Sequence, residues 1–563
     1  MGQLLYDGIL RNPLVEKHLP PGALEASRTI SFDGSATPSI PINWRFAESI
    51  SSLKGLEATV LNVLLKKKYN LDPVKVHINT DHASLFIMSA LIWVLDPEGE
   101  ALNGGASTDP VLREKFYKHF PDFDIHKSQS SLYRNAVTSI YRTKDDRFFH
   151  IHGSMNPDPI LEALHLPPDM PITNMDEVFE PFQKTALKYT AEELQDIADT
   201  NRQAGTICWT KDEFRKTEHG KANADISLFE IQDHPDPEQA PGWWPSIPGT
   251  DESPRRPLAG LKVVDLTRVI AGPAVSRGLA ELGASVMRVT APHLCDMSVL
   301  HPDLNHGKWN AYLDLRSEAD RATLRELVLE ADVFVQGYRP GVLEKYGFGE
   351  KDVIAMCRER GRGIIYCGEN CYGWKGPWMG RSGWQQISDA NCGVSYEFGR
   401  AMGNDEPVTP VFPNSDYCTG VAGVAGILSA LIRRSEQGGS FTVNIALNYY
   451  SQWLVNSCGV YPGSVWQELW QRNGSPVFRH YHHMAYTLPR TIGMIKKHSA
   501  DRMFRPEFFT RYQVKTVGKE IQTVAPVLRF PGGEVEPGYS IGTRTNGVDQ
   551  PRWPSDLSIE VVA

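Results

Sequence analysis

The chain has 563 residues, 41% of them hydrophobic and 10% aromatic, more apolar material than one ordinary domain needs, and this predicts two or three packed units. Its formal charge of −9 comes from dispersed Asp and Glu, with no basic run beyond Lys66-Lys-Lys68, so nucleic acid and anionic membrane surfaces are excluded as expected partners. No apolar run is expected to reach membrane-spanning length. Met1-Gly-Gln-Leu-Leu-Tyr6 carries no charged-then-apolar leader, and eight scattered cysteines without a Cys-x-x-Cys pair read as reduced thiols; the expected location is the cytoplasm.

In chain order, Asn43-Trp-Arg-Phe-Ala-Glu-Ser49 leads into a helical pattern that runs through Leu65, and Val74 to Asn79 alternates as a strand. His150-Ile-His152 alternates as well. Thr190 to Gly205 reads as a helix with Thr190 as N-cap and Glu193 at the capping-box position. His234 to Pro257 holds seven prolines and no apolar periodicity, which marks a connector, and the Trp243-Trp244 pair within it suits an ordered one. The expected divisions are therefore 1–234, a connector at 235–256, a unit at 257–456 and a C-terminal region at 457–563.

After the connector, Lys262 to Leu266 reads as a buried strand, Ala274 to Leu282 as a helix ended by Gly283, and Ser285 to Val289 as a second strand. Leu324 to Leu329, Val333 to Gln336, Val342 to Tyr346, Ile354 to Glu359 and Ile364 to Cys367 keep helix and strand alternating. That rhythm predicts an α/β fold with a doubly wound parallel sheet. The first turn, Thr267-Arg-Val-Ile-Ala-Gly-Pro273, is not Gly-x-Gly-x-x-Gly, so a nicotinamide dehydrogenase loses its main support. Val421 to Arg434, rich in Ala, Gly, Val and Leu, reads as a closely packed helix and Phe441 to Ala446 as the next strand. From Ser457 the chain reads as coil until Val527-Leu-Arg-Phe530.

Several of these motifs, in this order, resemble the family III (CaiB/BaiF) CoA-transferases. They are Ala271-Gly-Pro273, Leu282-Gly-Ala-Ser-Val286, Leu313-Asp-Leu315, Ala331-Asp-Val333, Tyr338-Arg-Pro-Gly-Val-Leu-Glu-Lys-Tyr-Gly347 and Asn414-Ser-Asp-Tyr-Cys-Thr-Gly420. The resemblance implies an enzyme that moves CoA between an acyl-CoA and a carboxylic acid, with Asp416 as a nucleophile carrying covalent intermediates. It also implies a homodimer, coenzyme A as substrate, and neither a prosthetic group nor a metal. The Val269 backbone is similar to a family position that meets CoA. Arg288, Arg339 and Lys345 are the expected phosphate partners and Tyr338 the expected platform for the adenine.

The chain also departs from the pattern. Gly337 and Ala291 stand where formyl-CoA transferases carry Asn and Arg, and Ile270 replaces their glutamine. Gly383-Trp-Gln385 replaces the Gly-His-Asp of α-methylacyl-CoA racemases, which removes that family's proton-exchanging histidine. A racemase or isomerase, and a catalytically idle CoA-binding or scaffolding relative, are the alternatives. Tyr141 to Asp145 and Thr190 to Phe214 look like pieces of the family's smaller domain, placed before the large one, as in a degenerate first copy. The histidines at 150, 152 and 480–483 lack carboxylate or cysteine neighbours at ligand spacing and read as structural.

Overall fold

The computed structural model describes residues 2–107, 109–247 and 250–563; Met1, Thr108 and, in the connector, Pro248 and Gly249 lie outside the described residues. The strand β1 (Ile30–Asp33) pairs in parallel with β2 (Val76–Asn79), and between them runs the 24-residue helix α1 (Phe46–Tyr69). The short strands β3 (Val94–Leu95) and β4 (Leu102–Asn103) follow. After them, β5 (Ser139–Arg142), β6 (Phe148–His152) and β7 (Ala204–Ile207) form an antiparallel sheet. The expected Thr190 helix is real and carries its capping box, but it ends at Thr200, and Ala204–Ile207 leaves it as a strand buried along its whole length.

β8 (Glu230–His234) lies at the end of the first expected division and pairs antiparallel with a strand two hundred residues downstream. The rest of that sheet comes from β9 (Lys262–Leu266), β10 (Ser285–Thr290), β11 (Lys308–Tyr312), β12 (Val333–Gln336), β13 (Ile365–Asn370) and β14 (Ser440–Ala446), in the order β11-β10-β9-β12-β13-β14-β8. All pairs from β9 to β14 are parallel. Val263, Val264, Val333, Phe334 and Val335 are fully buried, as expected for strands covered on both faces. The order reverses between β9 and β12. That switch point opens a crevice at the carboxyl ends of these two strands, where ligands of doubly wound sheets sit.

Helix α2 (Ala271–Glu281) follows β9, and α3 (Gln385–Asn391) and α4 (Asn414–Gln437) precede β14. α4 packs between α1 and α2. A Cβ at Gly420 would stand 2.6 Å from that of Ala274 and one at Gly423 would stand 2.8 Å from Val275, so only glycine allows the two helix backbones to approach this closely. By length and composition α4 is apolar enough to cross a membrane, contrary to expectation, yet 94% of its most apolar window is buried inside the protein. It is the central core helix.

The C-terminal region is not coil. It contains helices at Gly463–Arg472 and α5 (Met484–His498), then the hairpin β15 (Phe509–Val514) and β16 (Lys519–Val524), whose second strand pairs with β3. Val527 to Phe530 forms no strand and offers one bridge, between Arg529 and His77. The connector is ordered around Trp244, whose indole N–H donates to the Ala259 carbonyl at 2.8 Å while Lys68 at the end of α1 caps its ring at 4.1 Å. All eight cysteines are buried and free.

Both chain ends are thus woven into the parallel-sheet unit. A fragment covering 257–563 loses β8, β3 and the α1 face of α4, and exposes the apolar surface beneath them. It is expected to be insoluble or inactive alone and to regain activity on co-expression with 1–256; a soluble fragment with full turnover would show that the first half is an appendage.

Candidate active site

The crevice at the switch point begins with a charged lock. Lys308, wholly buried, holds Asp265 at 3.1 Å, and the same carboxylate accepts from Thr267 Oγ1 at 2.5 Å and from Ser276 Oγ on α2. These bonds tie the end of β9 to both β11 and α2 and fix the turn between them. Val269 in that turn has φ +72°, a left-handed conformation that costs a β-branched residue of order 1–3 kcal/mol and persists only where the surroundings over-determine it.

Asp416 stands in the first turn of α4, a helix with no side-chain cap, so the positive end of its backbone dipole faces the carboxylate. Two more carboxylates stand close to it. Asp389 on α3 accepts from Gln385 Nε2 and, at 3.2 Å, from Ser415 Oγ; Glu369 is next to last in β13. Burial pushes the pKa of Glu369 and of Asp389 up to about 7. Asp416 is raised well above the ordinary range, first by burial and then by the charges of Glu369 and Asp389. Among the described residues no group of three such side chains is placed to hold a metal ion.

Glu369 also accounts for one sequence departure. A Cβ on Gly337 would lie 3.1 Å from Glu369 Oε2, so a larger residue there, such as the Asn of formyl-CoA transferases, would press on this carboxylate.

Asp416 and Val269 border one cavity of about 430 Å³. Its walls come from all parts of the chain. Met88, Ala90 and Leu91 reach it from the first half, and Tyr417 holds them there. The Tyr417 hydroxyl donates to Asp303 at 2.9 Å and accepts from the Ala90 N–H at 3.2 Å, while Arg277 and Ser89 bind the same aspartate. The end of β6 brings His152, whose ring stacks on Trp384 with centroids 5.4 Å apart. Its Nδ1 accepts from the Ser154 N–H at 2.9 Å, so the proton is on Nε2, which donates to Gln386 at 3.2 Å. Burial lowers its pKa to about 3, leaving it neutral with both nitrogens engaged. Ala485, Leu488, Ile492 and Lys496 line the cavity along one face of α5. His483, just before α5, lines it too; it is 4% exposed, and neither ring nitrogen has a partner.

The predicted nucleotide residues divide. Tyr338 and Arg339 follow β12 at the switch point. The Arg268 guanidinium lies 5.4 Å from the Tyr338 ring centroid, and Arg339 donates to the Arg202 carbonyl at 3.0 Å and to Ser382 Oγ at 2.5 Å. Burial, then the charges of Arg202 and Arg268, lowers the pKa of Arg339. These three arginines form a cationic cluster without a carboxylate ion pair among the described residues. Lys345 is exposed on the single turn Glu344–Tyr346. Arg288 does not belong to the group. It is 2% exposed and binds Asp296 at 2.7 Å, together with Asn310 and Asn546, so its charge is spent inside the fold and it cannot reach a phosphate.

The model of the family described as CoA-transferase family III matches residues 258–477. Over 556 residues, 98% of this chain and 93% of the other, the sequence is 49% identical to the acetyl-coenzyme A transferase nodX of Hypoxylon pulicicidum. The chain belongs to CoA-transferase family III. Human succinyl-CoA:glutarate CoA-transferase is 31% identical over 209 residues, 35% of this chain and 46% of that one. A solved CAIB/BAIF family protein from Brucella suis, 30% identical, covers 36% of this chain and 55% of that one with a TM-score of 0.32. The matched segment holds strands β9 to β14 and the helix that carries Asp416, while the cavity walls come largely from outside it.

The sequence reading missed Arg202, Arg268, Glu369, Asp389, His152 and His483. Only the two histidines were visible as a pattern, and their role depends on the cavity they face.

The carboxylate group sets a pH dependence. Attack by Asp416, the role proposed below, would need its anion, and kcat/KM should then rise with pH through a pKa above the usual carboxylate range. Glu369→Gln removes the largest neighbouring charge and should move that acid limb to lower pH. A pH–rate profile of wild type and variant checks both; an unmoved limb near pH 4 in both proteins would contradict the repulsion.

Proposed function

We propose that this CoA-transferase works through covalent intermediates on Asp416, exchanging CoA between an acyl-CoA and a carboxylic acid. The observation that carries the reading is a carboxylate at the start of the core helix, beside the strained Val269 turn and open to the cavity. An Asp416 oxygen attacks the thioester carbonyl, the C–S bond breaks, and CoA leaves as thiolate from a mixed anhydride. The thiolate then attacks the Asp416 carbonyl, expelling the donor acid and leaving an aspartyl-CoA thioester. The incoming acid attacks that thioester, and the returning thiolate collects its acyl group, which restores Asp416. The first-turn amides of α4 are suited to the negative charge that develops on the carbonyl oxygen.

The Arg202, Arg268 and Arg339 cluster beside Tyr338 is suited to the CoA phosphates and adenine, since guanidinium groups bind phosphate in paired hydrogen bonds and stack on rings. Acetyl-CoA, from the name of the 49% identical relative, is the first donor to try. The homodimer expected from the resemblance stands as a proposal, to be checked by light scattering.

Asp416→Ala and Asp416→Asn should lower turnover by more than roughly 1,000-fold, because the attacking atom is gone. The Asn variant removes a repelled buried carboxylate and should keep its fold. Intact mass after incubation with acyl-CoA should show a CoA-sized adduct on wild type and none on either variant; normal transfer by Asp416→Ala would defeat the assignment.

An α-proton isomerase needs a base opposite Asp416. His152 has no free lone pair, and burial lowers the pKa of His483 to about 4, which makes it a weak base. No deuterium should therefore enter a 2-methylacyl-CoA in deuterated buffer, as read by mass spectrometry; rapid incorporation would put the racemase reading first.

A further inference from the structure

The cavity beside Asp416 has the size of a small-molecule site, about 430 Å³. Its wall is mostly carbon, with Met88, Leu91, Met155, Val299, Met484 and Leu488 among the side chains that face it. One cation borders it among the described residues, Lys496, and that side chain is exposed. The second carboxylate of a dicarboxylic acid would therefore leave water without a buried cation to receive it, a heavy cost that sites for such acids offset with an arginine or lysine. Thioether and aliphatic groups repay a ligand only for apolar surface, and methionines adapt to irregular shapes.

We propose that the acid exchanged at this site is a monocarboxylic acid with a bulky, largely apolar skeleton, held in the cavity by its carbon surface. The proposal rests on the aspartyl reading above, which makes Asp416 the point where the acid's carboxylate reacts. Both acids of the exchange pass through an anhydride on that residue, so the cavity receives whichever skeleton is attached. No oxidant or further reactant is needed, since a thioester is consumed and a thioester is formed.

The test uses the full-length protein, acetyl-CoA as donor, and succinate, glutarate, octanoate and dehydroabietate as acids, with the new acyl-CoA measured by liquid chromatography and mass spectrometry. Octanoate and dehydroabietate should exceed the diacids in kcat/KM by roughly 100-fold. Calorimetric binding of the same four acids to the Asp416→Asn protein gives a readout that does not depend on turnover, and should show the same order. Ala485→Phe, which fills the cavity from α5, should lower the dehydroabietate-to-octanoate ratio by about ten-fold. A preference for the diacids in either transfer or binding overturns the proposal, as does failure of both apolar acids to bind. If the CoA adduct on Asp416 is absent while the apolar acids still bind, the covalent reading falls and the assignment of the acid class stands.

Discussion

Three carboxylates, Asp416, Glu369 and Asp389, share one buried region, and no ion pair of any of them with a cation is seen among the described residues. Everything else at the site is arranged around that repulsion. A lone buried carboxylate picks up a proton, and three together hold their protons still more firmly, since each ionisation raises the cost of the next. Such a group is costly for stability and useful for chemistry. An anion that is poorly solvated gains more by bonding to a carbonyl carbon than one already paired with arginine. The N-terminal end of α4 and the hydroxyls of Ser415 and Ser451 around Asp389 are what the fold supplies in place of a counter-ion.

The opposite choice is made a few residues away. Asp265 with Lys308, Arg288 with Asp296 and Arg277 with Asp303 are all buried pairs in close contact. Buried pairs add little net stability, but removing one partner is severe, so they fix geometry. Asp265 sets the turn that strains Val269. Asp303, through Tyr417 and Ser89, fastens a segment of the first half to the helix that carries Asp416. Rigid pairs thus surround a flexible protonation site, and the first half of the chain becomes a wall of the cavity.

The two ends of the crevice differ in chemical character. Around Tyr338 it is cationic and partly exposed; around α5 it is mostly apolar, with the exposed Lys496 at its border. The switch between β9 and β12 places the Val269 turn at the cavity that Asp416 borders.

Strands β9, β10, β12, β13 and β14 were legible from residue pattern alone, because strands buried on both faces are mostly runs of Val, Ile and Phe; β11, where Lys308 and Asn310 interrupt the run, and β8 were not. Asp416 was singled out only by the family resemblance, since an aspartate at a helix start is by itself an ordinary cap. The cavity was not legible. α5 and the β15–β16 hairpin have mixed patterns that make sense only once β3, from four hundred residues earlier, completes their sheet. Arg288 shows the limit from the other side: as a letter in a strand it matched a phosphate ligand, and only the arrival of Asp296, Asn310 and Asn546 around it decided that its charge is internal. Local chemistry decided most of the parallel strands, because backbone pairing and helix geometry repeat over a few residues. Which side chains face Asp416, and with what charge, was decided by contacts between distant segments, which no short-range pattern records.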